Sequence, residues 1–176
     1  MEYMRILKKV INCMQPDSVT IRPLTIHLAS DHAGLDAKEM LEDHLVQSGH
    51  KVVDHGAQKL NNDDDYPDYI IPAAEAVVAD KNSLGIIFGG SGQGEAIAAN
   101  KVLGIRAIVF YGGPTEIITL SREHNDANVL SLGARFMSKD EVIVTVDLWL
   151  KTVFNNNERH QRRLNKINDY ENSKTL

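Results

Sequence analysis

A glutamate set behind a cluster of glycines is the most chemically pointed feature of this sequence. In Gly89-Gly90-Ser91-Gly92-Gln93-Gly94-Glu95 the glycines at 89, 90, 92 and 94 let the backbone take positive φ and come close to a ligand. Amides at the start of a following helix then face an anion. Ser91 adds a hydroxyl and Glu95 a carboxylate. A bound anion and a carboxylate on one short loop repel, so a site that keeps both needs a base beside a developing negative charge. The alternative is an acid in a first helical turn, worth about 0.3–1 kcal/mol against the macrodipole. Ser91 and Glu95 are four apart, so they do not make a capping box, which needs three. Two nucleotide-binding loops are excluded: Gly92-Gln93-Gly94-Glu95-Ala96 runs on to Ile97 where a dinucleotide fingerprint needs glycine, and Glu95 stands where a P-loop needs lysine.

Other residues of the same chemical weight lie at strand ends and in the tail. Asp31 and His32 directly follow the apolar stretch Leu24 to Ala29, which places them either in a crevice at a strand end or at a helix cap with a solvated neighbour. Tyr66 is either a packing aromatic or a crevice phenol. His124 and Arg135 flank the short run Asn128 to Leu132. Arg159 and Arg163 are four apart on one helix face, with His160 beside them. Such a run is either solvated surface or a phosphate clamp, since arginine donates in a planar fork. A reaction that uses a carboxylate, an Asp-His pair, a further histidine and several arginines is proton shuttling on a sugar phosphate. It needs a base for a carbon-bound proton, donors for an enediolate oxygen, an acid/base group to open the sugar ring, and cations for the phosphate. No metal or organic cofactor is required.

The elements that must position these residues read as alternating strands and helices. Leu84 to Phe88, the glycine turn, a helix over Glu95 to Val102 and a second apolar run Ile105 to Val109 make a βαβ unit with its loop at a strand's carboxyl end. Before it come the strand Leu24 to Ala29, a helix over Leu35 to Gln47, a strand Lys51 to Asp54, and a helix opened by Pro67. The three aspartates 63 to 65 between them read as a solvated loop. After it come a helix Pro114 to Arg122 with Glu123 to Asp126 as its polar end, a fifth strand Asn128 to Leu132, and an amphipathic helix Val142 to Phe154. Trp149 reads as core or subunit interface. The basic segment Glu158 to Lys166 ends the pattern.

One α/β domain fits 176 residues, and a sheet of this size buries a real core. A formal net charge of −5 argues against nucleic acid as main partner. Cys13 alone rules out an internal disulfide framework and suits a reducing cytoplasm. No apolar run approaches the roughly 18 residues a membrane helix needs. Met1 to Cys13 mixes basic and apolar residues without an uninterrupted hydrophobic region, so residues 1–23 read as an extension, helical or disordered, rather than a signal peptide.

Ser30-Asp31-His32-Ala33-Gly34, Asp65-Tyr66-Pro67, the loop 89–95, Ala98-Ala99-Asn100-Lys101, Gly104-Ile105-Arg106-Ala107, Arg122-Glu123-His124-Asn125 and Arg159-His160-Gln161-Arg162-Arg163 together resemble the ribose-5-phosphate isomerase B family, from about residue 24 to 170. Its superfamily includes the galactose-6-phosphate isomerase subunits. The resemblance implies a three-layer α/β/α Rossmann-like domain over 24–154 with a five-stranded, mainly parallel sheet. It also implies a C-terminal helical tail over 155–176 that binds phosphate and touches a neighbouring subunit. It further implies a cytoplasmic, cofactor-free enzyme of the pentose phosphate pathway, a homodimer or dimer of dimers with active sites at subunit interfaces. Glu95 is then the base; some members instead carry a cysteine at the position of Gly89, so this chain looks like the glutamate branch. Ser91 and the amides of Gly92, Gln93, Gly94 and Glu95, with Gly90, would hold enediolate oxygens. Asp31 and His124 are candidates for ring opening. Tyr66, Asn100 and Asn125 would position the sugar, and His32, Arg135, Arg159 and Arg163, with His160, would bind phosphate. The nearest alternatives are a galactose or allose 6-phosphate or erythrulose phosphate as substrate, or a noncatalytic sugar-phosphate sensor.

Overall fold

The computed structural model describes residues 23–174; the expected N-terminal extension lies outside them, except for its last residue. The chain alternates β1 (Thr25–Ser30), α1 (Leu35–Gln47), β2 (Lys51–Asp54), α2 (Pro67–Ala79), β3 (Ser83–Gly89), α3 (Gln93–Ala99), β4 (Ala107–Phe110), α4 (Glu116–Asn125) and β5 (Val129–Gly133), followed by α5 (Lys139–Lys151) and α6 (Glu158–Asn172). The strands form one sheet in the order β2-β1-β3-β5-β4. Every pairing is parallel, so the expected "mainly parallel" sheet is wholly so.

Parallel strands need crossovers, and these helices cover both faces of the sheet. Ile26, Leu28, Ile86, Phe88, Leu130 and Leu132 meet Leu41, Leu45, Ile118, Val142, Val146 and Trp149 on one face. Ala29, Ile87 and Val129 meet Ile70, Ala73, Ala74, Val77, Ala98 and Ala99 on the other, where small helical residues allow close approach. β3 lies at the centre with all seven residues buried, as its continuous apolar run requires. Trp149 is core: it is fully buried and its Nε1 donates to Ser121 Oγ at 3.2 Å.

Helix ends differ from the apolar spacing where capping decides them. α3 opens at Gln93 rather than Glu95 because Gly92, at φ 76°, turns the chain in the left-handed region. α4 runs through His124 to Asn125 and stops at Asp126, also left-handed, so Glu123 to Asn125 are helical rather than a polar end. α5 begins at Lys139 behind a capping box of Ser138 and Glu141, and it ends at Lys151, leaving Val153 exposed. α6 extends past Lys166 to Asn172 and is anchored by buried His160 and Leu164.

Candidate active site

The carboxyl ends of β1, β3 and β5 gather one group of residues. A Cβ at position 89 would fall inside the Glu95 carboxylate, which folds back over the loop, so glycine there leaves the acid its present place. Glu95 is 5 % exposed. Burial pushes its carboxyl above the ordinary range; the bond from its own N–H opposes this and the Asp31 charge adds to it. A carboxylate so placed has a raised affinity for a proton, as a general base working near neutrality needs.

The loop is built to stay in place. Ser131 Oγ donates to Gly92 O at 2.7 Å, and Ala134 N donates to Gly89 O at 2.9 Å. Gln93 N donates to Ser91 Oγ at 3.4 Å, a long hydrogen bond within the loop. The Tyr66 phenol lies over Gly94, where a Cβ would stand 2.9 Å from its oxygen. The Arg135 guanidinium lies over Gly90, its Cζ and Nε 3.3 Å from a Cβ built there. Asp31, 7 % exposed, accepts from Ala33 N at 2.9 Å and so turns the chain ahead of α1. It thus both shapes the turn and faces Glu95.

Asp64 belongs to this group, although the acidic run around it reads as solvated loop. Its side chain is 3 % exposed, and its Oδ1 accepts from His32 Nδ1 at 2.7 Å and His32 N at 3.2 Å. A partner 32 positions away in sequence leaves no local pattern; its adjacency to Asp65-Tyr66-Pro67 was the only available signal. The hydrogen bond to Asp64 raises the His32 pKa; burial and Arg135 lower it, and the charge of Asp31 raises it further. Donor atoms of Asp31, His32 and Asp64 lie within 4.8 Å of one another. At 2.7 Å, however, the His32–Asp64 contact is a hydrogen bond, shorter than the roughly 3.3 Å two ligands keep on a tetrahedral ion.

The remaining expected site residues lie at the other edge. α4 returns to the amino ends of the strands before β5 begins, so His124 and Asn125 are separated from Arg135 by the length of β5, about 15 Å. There the His124 ring meets His160 at 4.1 Å between centroids. His160 is buried, its Nδ1 3.1 Å from Asn155 Oδ1. Burial first, then His124, Arg159 and Arg163, push its pKa down. Arg159 and Arg163 are exposed on α6. Asn100 is not brought to the crevice: its amide brackets Ala107, donating to the carbonyl at 3.0 Å and accepting from the N–H at 2.8 Å. Two arginines of the recognised motifs are also structural ties. Arg106 grips the carbonyls of Asn125 and Asp126, and Arg122 that of Ala127.

This arrangement is shared with known proteins. The ribose/galactose isomerase family model matches residues 26–167. Ribose-5-phosphate isomerase B of Mycolicibacterium paratuberculosis is 44 % identical over 148 residues, covering 84 % of this chain and 92 % of that protein. The crystal structure of ribose-5-phosphate isomerase B from Mycoplasma genitalium with bound ribulose-5-phosphate superposes with a TM-score of 0.80 at 40 % identity, covering 84 % of this chain and 96 % of that one. The Clostridium thermocellum ribose-5-phosphate isomerase B does so at 0.80 and 41 %, covering 85 % and 99 %. A fully parallel sheet, a buried glutamate over a glycine loop and these matches lead to one conclusion: the chain belongs to the ribose/galactose isomerase family.

Proposed function

We propose that this chain interconverts D-ribose 5-phosphate and D-ribulose 5-phosphate through an enediolate. The observation that carries the reading is Glu95, a buried carboxylate with a raised proton affinity on an amide-lined loop. Starting from the open-chain aldose, Glu95 removes the proton on C2 and the electron pair moves onto the carbonyl oxygen at C1. Glu95 returns the proton to C1, while the C2 hydroxyl proton passes to the C1 oxygen. The sum is an isomerisation with no net change in atoms or electrons. Ser91 and the amides of Gly92 to Gly94 steady the charge on the enediolate oxygens. Asp31 lies on the same edge to assist ring opening, and Tyr66 covers the sugar's face of the loop. His32 and Arg135 take phosphate.

One copy cannot bring His124, Asn125, Arg159, His160 and Arg163 to that crevice, because they occupy the opposite edge of the sheet. A second copy related by a two-fold axis supplies them, so each site is composed of two chains, and the enzyme works as a dimer or a dimer of dimers. Among the described residues no helix is long and apolar enough to cross a membrane, in keeping with work on a small cytoplasmic metabolite.

The test mixes two variants that each fail alone, Glu95→Gln and the pair Arg159→Ala/Arg163→Ala. After subunit exchange at equal amounts, half the dimers are hybrids holding one intact site, so about a quarter of normal activity on ribose 5-phosphate returns. No recovery, although exchange is shown by mass spectrometry, refutes the composite site. Full turnover by Glu95→Gln refutes the base.

A further inference from the structure

We propose that Asp64 is a positioning residue for this reaction: its buried carboxylate grips the Nδ1 and backbone N–H of His32 and so turns the ring's Nε2 outward as a donor for the substrate phosphate. The inference rests on the phosphate role of His32 given above.

The geometry favours it in three ways. One oxygen, Asp64 Oδ1, holds both ends of the His32 residue, ring and main chain, so the ring is fixed in orientation as well as place. The carboxylate is 3 % exposed while the ring is 25 % exposed, so the anion is withdrawn from solvent and the imidazole is presented to it. Asp64 Oδ2 is buried and has no hydrogen-bond partner among the described residues, so there the local charge is not shared out to other donors. A carboxylate this near a phosphate would repel it unless a cation stood between, and His32 is that cation.

The groups facing His32 are Asp31 from the β1 turn with Oδ2 3.9 Å from Nδ1, Asp64 from the loop before α2, and Arg135 from the turn after β5. Tyr69 on α2 also feels Asp64 and Asp31. Two carboxylates favour the protonated ring, and Arg135 opposes it. The net direction is upward, so the ring holds its proton to higher pH than an ordinary histidine does.

The experiment uses full-length protein carrying Asp64→Asn, His32→Asn or both. KM and kcat for ribose 5-phosphate are followed from about pH 6 to about pH 8.5, and the His32 ring nitrogens by NMR without substrate. In the unaltered protein His32 titrates above the ordinary histidine value; a midpoint at or below it overturns the proposal with no variant needed. In Asp64→Asn that midpoint falls, and KM rises about tenfold at the alkaline end while converging at pH near 6, with kcat changed far less. In the His32→Asn background Asp64→Asn adds nothing to KM. A KM rise equal at all pH values, or one that persists without His32, overturns it. If His32→Asn alone leaves KM unchanged, the phosphate role of His32 fails, while the NMR midpoint still reports on the Asp64 contact.

Discussion

The two edges of the sheet differ in how Arg106 and Arg122 on one side, and Glu95 and Arg135 on the other, are held. At the amino edge the arginines are tied to main-chain carbonyls and to the Asp126 carboxylate. Arg106 contacts the carbonyls of Asn125 and Asp126 at 2.7–3.0 Å together with the Asp126 carboxylate. Arg122 reaches Thr152 and Ala127 carbonyls and stacks over Trp149 at 5.3 Å. At the carboxyl edge Glu95 is buried with no cation bonded to it among the described residues, and Arg135 lies over Gly90. Paired charges hold loops together. A buried charge held short of a partner costs stability, and such a cost persists where chemistry needs the unused capacity.

The largest expected effect at the carboxyl edge is that of Glu95→Gln, which lowers kcat/KM by about 10²–10⁴-fold. The same change raises the thermal midpoint, because a buried anion is replaced by a neutral amide. Gly89→Ala comes next. Its methyl displaces the Glu95 carboxylate, and a shift of about 1 Å costs on the order of 10²-fold in kcat. Arg122→Ala sharpens the contrast from the amino edge: a loss of about 2–3 kcal/mol in urea unfolding, from bonds between a cation and carbonyls, with a kinetic loss far smaller than that of Glu95→Gln.

The smallest effects are those of pH. The Glu95 pKa is raised in the folded protein, so the acid limb of kcat/KM lies above the ordinary carboxylate range. For stability the sign follows from linkage. The folded state holds this proton more tightly than the unfolded chain, so Glu95 subtracts stability as pH rises from the ordinary carboxylate value through its raised one. The gain in thermal midpoint from Glu95→Gln is therefore larger at about pH 8 than at about pH 4. An equal gain at both would mean the carboxyl is not perturbed.

Much of this was legible in the sequence because its causes are local. Glycine clustering marked the loop, and apolar runs marked the five strands in order. Helix ends were less legible where one residue's cap overrode the spacing, as at Gly92 and Ser138. Contacts across long sequence separations left no trace. Asp64 looked like one of three solvated acids until the fold laid it against His32, and Asn100 looked like a sugar ligand until its amide closed on Ala107. The position of His124 and Arg135 on either side of one strand was readable. Their placement at opposite ends of that strand follows from a sheet in which every pairing is parallel.

The shared volume of residue 89 and the Glu95 carboxylate also constrains how such an enzyme can change by descent. A side chain gained at 89, a thiol included, and the present position of the acid exclude each other. Positions 89 and 95 are therefore coupled, and the effect of a change at one depends on the residue at the other.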